Sequence, residues 1–396
     1  MNCILFDGPN RGNLLPFTYT RPVADIRVGI LTIREKWEHE LSTTSSSLTE
    51  RYLQEKFPLK KGTENILING TVCPDAALVK AIKALASGVC LVQGEELLAV
   101  KCDAALLEQL LSNWGSVDSL PQHSFDETVT TIGASWDIFS KNGAQIEADF
   151  ERLTAGRESA EVNSSNTVIG EQVFIEPGAK VNCAVINASE GPVYIGKDAE
   201  VMEGALIRGA FALCNNSTLK MGAKIYGPTT IGPHSKVGGE VNNSVVFGYS
   251  NKAHDGFLGN SVLGEWCNLG ADTNTSNLKN NYAQVKLWDF AKKSFVNTGL
   301  QFCGLMMGDH SKSGINTMFN TGTVIGVSAN VFGAGFPRNF IPGFSWGGAQ
   351  GLSPYRLDKA AEVAKIVMAR RGLEFDEQEA AIFGHLYGES DKPKVG

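Results

Sequence analysis

Between Ile195 and Val237 an aliphatic residue falls on every sixth position: Ile195, Val201, Ile207, Leu213, Leu219, Ile225, Ile231 and Val237, with small and turn-forming residues between them. A period of six matches neither the 3.6 residues of a helical turn nor the irregular strands of a hairpin meander. It fits a parallel β-helix, in which each hexad is one short strand plus a corner. The aliphatic side chain then points into the shaft, and Gly, Asn or Pro takes the bend. Val181, Ile175 and Ile169 continue the phase upstream once residues 187–194 are set aside as a surface loop. The phase returns at Leu263 and Leu269, and again at Met307, Phe319, Ile325 and Val331, with Ser313 as a polar miss. Two stretches run out of register, Val237 to Leu263 and Thr273 to Gly304. In repeat proteins such insertions are expected as loops outside the stack, where function is usually grafted.

The first third of the chain has a different pattern. Asn2–Phe6 is a short apolar run ending in Asp-Gly-Pro-Asn, a buried strand followed by a turn. Val28–Leu41 has helical spacing with Thr32 as a cap, Ser42–Ser47 reads as a flexible polar loop, and Asn65–Asn69 as a second strand. A helix over Ala76–Ala86, the runs GVCLVQG and LLAVKC as strands, and a helix over Asp103–Leu111 complete an α/β domain over residues 1–135. The amphipathic segment Ser135–Thr154 reads as a helical hinge, assigned to residues 136–164 and followed by the β-helix over 165–340. The extension at 341–396 carries two helices, Leu357–Arg371 and Phe375–Tyr387, whose apolar faces need the shaft or a neighbouring subunit to cover them.

Composition narrows the class. A chain of 396 residues, 43% apolar, suits two domains. A net charge of −7 without clustered Lys and Arg excludes a general nucleic-acid role. No window reaches the roughly 18 apolar residues of a membrane span, and the start lacks a basic region before an apolar core, so no membrane association and a cytoplasmic location are expected. Eight cysteines without a C-x-x-C pair read as reduced core residues rather than a zinc site, and no metal ligands are assigned.

An α/β domain, a helical hinge and a hexapeptide β-helix resemble the bifunctional UDP-N-acetylglucosamine pyrophosphorylase and glucosamine-1-phosphate N-acetyltransferase family, in particular a shortened variant of Bacteroidetes-type bacteria. The stretch IYGPTTIGPHSKVGGEVNNS, then SNKAHDGFLGNSVLGEWCNLGADTNTSNL, is similar to the acetyltransferase segment that ends in G-A-x-T-x-x-x-N, here Gly270, Ala271, Thr273 and Asn277. The resemblance covers most of residues 165–335. It implies a left-handed β-helix and a homotrimer with acetyl-CoA sites between neighbouring shafts. It also implies His254 as the general base, since an amine attacking a thioester must lose a proton and imidazole suits that transfer. Asn268, Ala271 and Asn277 would hold substrate or coenzyme. A histidine that merely caps a loop, and asparagines that merely turn corners, would leave the same sequence.

This chain also departs from the family. Tyr226 and Asn242 stand where an arginine and a lysine grip the sugar phosphate, and Phe257 where a tyrosine is expected. Either Lys252, Lys224 or Lys279 replaces those cations, or the acceptor is not glucosamine-1-phosphate. In the amino-terminal half the Gly-rich phosphate loop is reduced to Gly8, Arg11 and Gly12, then Arg21 and Pro22, with Val23 in place of a lysine. Thr71 occupies the position of the magnesium carboxylate, so Asp7 or Asp75 would have to hold any magnesium. Arg11, Arg21, Asp25 and Arg27 could line a pocket or a solvated loop.

The fold expected is therefore a truncated nucleotidyltransferase-like α/β domain, a left-handed parallel β-helix of hexapeptide repeats, and carboxy-terminal helices. The function expected is acetyl transfer from acetyl-CoA to an amino-sugar phosphate. The rivals are a sugar-1-phosphate nucleotidyltransferase whose β-helix only trimerises, and a non-catalytic protein that binds sugar nucleotides.

Overall fold

The computed structural model describes residues 2–390; the remaining residues of the expected amino-terminal domain and carboxy-terminal extension lie outside it. The chain forms two compact units. The first comprises the chain to Leu14, Thr20–Ile26 and Leu31–Gly133. The second comprises Leu15–Tyr19, Arg27–Ile30 and the chain from Ala134 on.

The first unit is built on a six-stranded sheet, in the order Ser45–Leu48, Asn2–Phe6, Glu64–Asn69, Glu96–Asp103, Val89–Gln93, Gln122–Ser124. The first three strands are parallel to one another, and Glu96–Asp103 runs antiparallel to Glu64–Asn69. From Asn2–Phe6 the chain goes first to one side and then to the other. The topological switch point, where α/β sheets place ligands, therefore lies between the carboxyl ends of Asn2–Phe6 and Glu64–Asn69. Thr32 caps the helix Ile33–Leu41 in a capping box with Glu35. The polar interval expected as a loop is instead half strand. Ser45–Leu48 pairs with Asn2–Phe6 as an edge, and its serines are held by Arg34 (Ser45 Oγ, 2.8 Å; Ser47 Oγ, 2.6 Å) and Glu38 (2.8 Å). An edge strand needs only one paired side, so its apolar signal is weak.

The second unit is a three-sided shaft of parallel strands. One face has nine strands from Val173–Ile175 to Phe340–Ile341, and a second has ten, beginning at Lys180–Val181, of which the last, Gly351–Pro354, is antiparallel. The third has six, Thr167–Ile169 to Phe257–Gly259, and is extended by Asn274–Thr275 and Met318–Phe319. All eight residues of the hexad run are buried in one continuous core. At the open first coil the phase fails, because Ile169 is 47% exposed. The loop expected over 187–194 is shorter, since Val193–Ile195 is a strand and Tyr194 is buried.

The first out-of-phase stretch is not an external loop. Strands Glu240–Asn242, Val245–Gly248, Asn251–Lys252, Phe257–Gly259 and Val262–Glu265 continue all three faces through it. Phase is lost because the coils shorten. Phe211 pairs with Thr229, eighteen residues on, whereas Thr230 pairs with Val245, fifteen on, and Val245 with Val262, seventeen on. The second stretch does leave the stack, carrying the antiparallel hairpin Lys286–Asp289 and Ser294–Asn297. Ser313, the polar miss, is buried and contacts the Thr273 hydroxyl at 2.9 Å.

Helices cover the shaft within the chain. Asn142–Thr154 buries Ile146 against Phe174, Tyr194 and Ala212. In the terminal pair, Leu357–Ala369 and Glu377–Glu389, Phe383 meets His310 and Phe344 edge to face, at 5.0 and 5.8 Å. Among the described residues no helix is long and apolar enough to cross a membrane.

Candidate functional site

The residues singled out in the β-helix gather along the edge where the second and third faces meet. His254 is exposed in the bend between Asn251–Lys252, on the second face, and Phe257–Gly259, on the third. Amide-to-carbonyl bonds run along this edge from Asp272 to Asp255 (3.1 Å) and from Asn316 to Ala271 (2.8 Å), so Ala271 sits one coil from His254. Asn268 is exposed on the second face, on the strand next to that of Asn251. Tyr226, Asn242 and Gly259 form one register column on the third face, and Glu240 and Phe257 the column beside it. Asn277 follows Asn274–Thr275 and donates to Asn260 Oδ1 at 2.8 Å. Within one chain, then, His254 and Ala271 share an edge. Asn268 lies on one side of it, and Tyr226, Asn242, Phe257 and Asn277 on the other.

The chemistry of these positions differs. The His254 imidazole takes part in no hydrogen bond among the described residues, which leaves it able to exchange a proton with a bound molecule. Tyr226 is already engaged, its hydroxyl donating to Glu240 Oε1 at 2.5 Å; burial and then that carboxylate push its phenol above the usual value. Of the three lysines considered as phosphate partners, Lys252 is excluded, being 2% exposed with its ammonium bonded to backbone carbonyls inside the shaft. Lys279 donates to the Gln284 carbonyl at 3.1 Å. Lys224 is exposed, and its register partner is Glu240. Glu240 and Asn260 escaped the sequence reading, and Lys252 entered it as a phosphate partner rather than as the inward residue of a shortened coil.

In the first unit Asp7, Gly8, Arg11 and Thr71 gather at the switch point. Gly8 follows Asn2–Phe6 so closely against Asn69 that a Cβ there would lie 2.9 Å from Asn69 Oδ1. Thr71 is buried, with its hydroxyl and amide on Asn69 Oδ1 (2.8 and 3.0 Å). Asp7 accepts from the Val23 amide on one oxygen (2.8 Å), and from Arg11 Nε (3.0 Å) and Thr49 Oγ1 (2.6 Å) on the other. Burial raises its pKa, opposed by those three partners. Arg11 also bonds Tyr52 (3.1 Å), Gly12 lies in the 3-10 turn Pro9–Leu14, and Arg21 is buried. Asp75 caps the helix Ala76–Ala84 through the Leu78 amide. Both oxygens of Asp7 are thus taken, Asp75 is a cap, and among the described residues no three His, Cys, Asp or Glu side chains gather. The residues present do not fit a magnesium ion at this position. Two of the expected pocket residues have structural roles instead. Asp25 pairs with Arg34, and Arg27 donates to the Ile30 and Phe247 carbonyls.

An α/β sheet with a topological switch point and a three-sided parallel β-helix define the class, a two-unit β-helix protein. Residues 3–158 match the family described as sugar nucleotidyl transferase. The chain is 28% identical over 145 residues, 36% of each chain, to a bifunctional sugar-1-phosphate nucleotidylyltransferase/acetyltransferase of Sulfurisphaera tokodaii. It is 25% identical over 258 residues to the bifunctional protein GlmU of Synechococcus elongatus, covering 57% of this chain and 52% of the relative. The chain thus spans from about a third to about half of the length of these two curated relatives. Among solved structures, a UDP-N-acetylglucosamine acyltransferase from Campylobacter jejuni is similar at 14% identity and a TM-score of 0.24, covering 60% of this chain and all of that one.

Proposed function

We propose that this chain is a transferase of the sugar-nucleotide biosynthesis type, whose β-helix transfers an acetyl group from acetyl-CoA to an amino-sugar phosphate, as a cytoplasmic homotrimer. The observation that carries this reading is the exposed imidazole of His254, unbonded among the described residues, on an edge flanked by Asn268 on one face and by Tyr226, Asn242 and Asn277 on the other. The two flanks face apart within one chain, so a neighbouring shaft has to supply the opposing wall of the cleft. The relative named as a bifunctional sugar-1-phosphate nucleotidylyltransferase/acetyltransferase supports the class of reaction.

In the reaction the amino-sugar nitrogen attacks the thioester carbonyl, a C–N bond forms, the C–S bond breaks, and coenzyme A leaves as the thiol. His254 takes the proton that the nitrogen must lose, and Asn268 and Asn277 hold the reactants by side-chain hydrogen bonds. The exposed Lys224 is the remaining cation for the acceptor's phosphate. The test is thiol release from acetyl-CoA with glucosamine-1-phosphate and a panel of amino sugars: transfer to any of them supports the reading, and transfer to none refutes it.

A second reading applies to the amino-terminal unit. Because Asp7 and Asp75 are engaged and Thr71 replaces a carboxylate, that unit binds a sugar nucleotide at its switch point without turning it over. Gly8, Arg11, Gly12 and Arg21 are the residues this reading assigns to its phosphates.

A further inference from the structure

One inward position of the shaft carries a charge. On the second face the inward residues run Val201, Leu219, Val237 and then Lys252, with Leu269 on the next strand. An ammonium among aliphatic side chains is costly unless hydrogen-bonded. Lys252 Nζ donates to two carbonyl oxygens, those of Gly238 and His254, both at 2.8 Å. Gly238 belongs to the preceding coil and His254 to the bend on the candidate edge. Glycine makes room for this, because a Cβ on Gly239, whose φ is +70°, would lie 2.8 Å from Nζ. Among the described residues the ammonium is the hydrogen-bond partner of the His254 carbonyl; no backbone amide reaches it. The charges acting on it are those of Asp255, Asp272 and Glu240, all along or beside the same edge.

We propose that Lys252 is a positioning residue of the acetyl-transfer site: from inside the shaft it holds the main chain of His254 and so fixes where the imidazole stands. The inference rests on the acetyl-transfer reading above, and it assigns Lys252 no contact with the reactants. An aliphatic residue would fill the position as Val237 does one coil earlier, but the bend at 253–256 would lose the side chain that ties the His254 carbonyl to the shaft.

The test is Lys252→Met, which keeps length and apolar volume and removes charge and donor, with Lys252→Val as a second variant should the first not fold. Amide exchange at residues 253–256 is expected to rise by about tenfold or more, as for a segment that opens locally. The kcat for acetyl transfer is expected to fall by about tenfold, with the acetyl-CoA KM within about twofold, as for a misplaced base rather than a lost binding contact. Unchanged exchange together with unchanged kcat overturns the proposal and makes Lys252 a packing residue. Wild-type protein that transfers no acetyl group refutes the reading beneath it, and the exchange measurement still decides whether Lys252 holds His254.

Discussion

Tyr226 and Glu240, on neighbouring coils of the third face, are joined by a 2.5 Å hydrogen bond from phenol to carboxylate. The position expected to grip a phosphate thus carries a carboxylate beside it. On an exposed face, where water sets the dielectric, two like charges about 4 Å apart repel by about 1 kcal/mol. Glu240→Gln is therefore expected to lower the KM for a phosphorylated amino-sugar acceptor by about fivefold and to leave that for an unphosphorylated amino sugar nearly unchanged. Equal effects on the two acceptors in steady-state kinetics would place Glu240 away from the phosphate.

Lys252 makes stability depend on pH. Burial lowers its pKa from 10.5 to about 8, partly offset by Asp255, Asp272 and Glu240. Between about pH 8 and 10.5 the unfolded chain holds this proton and the folded chain does not, so this group makes stability rise with pH across that window, while below it the full cost is present. At about 1.4 kcal/mol per tenfold, the cost at pH 7 is at most roughly 3 kcal/mol. Lys252→Met is expected to gain part of that at pH 7, less the two lost hydrogen bonds, and to flatten its share of the rise. Denaturant titrations at pH 7 and pH 10 check this, and a wild-type-minus-variant difference that does not change between them contradicts it.

Several large apolar residues of the second unit are covered within the chain. Phe247 packs on Phe17 (5.3 Å), Trp288 stacks on Phe340 (4.3 Å), and Phe344 is buried against the terminal helices. Instead Ile315 (70% exposed) and Met221 (68%) protrude along the edge that carries His254. If neighbouring shafts meet there, light scattering should give three times the 42.5 kDa chain mass at micromolar concentration, and Ile315→Asp should shift it toward monomer. A monomeric wild type rules out a site shared between shafts.

For the amino-terminal unit, a thermal-shift experiment with UDP-N-acetylglucosamine should give the same stabilisation with and without magnesium, because Asp7 and Asp75 are already engaged. At 100 times the dissociation constant the shift corresponds to about 2.7 kcal/mol. Magnesium-dependent pyrophosphate release from UTP and a sugar phosphate, lost on substituting Asp7, would overturn this reading.

The hexad run from Ile195 to Val237 made the shaft legible, because burial inside a three-sided coil constrains every sixth side chain independently of distant contacts. The same rule misread Val237 to Leu263, where coils of fifteen and seventeen residues keep their strands but lose the count. Ser45–Leu48 was illegible because its serines are stabilised by Arg34 and Glu38 rather than by an apolar face. His254 was legible as a residue type in a bend. That it is tied to the shaft by Lys252 depends on which inward position a shortened coil selects, and sequence spacing does not carry that.

The most direct measurement is thiol release from acetyl-CoA with an amino-sugar acceptor at pH 7 to 8, wild type against His254→Ala. The residue is exposed in a bend, so the variant should fold and assemble as the wild type does. A general base contributes about 10^2 to 10^4-fold, so kcat should fall by that order. A variant that acetylates as fast as the wild type would contradict the assignment of His254 and return it to an ordinary corner residue of the shaft.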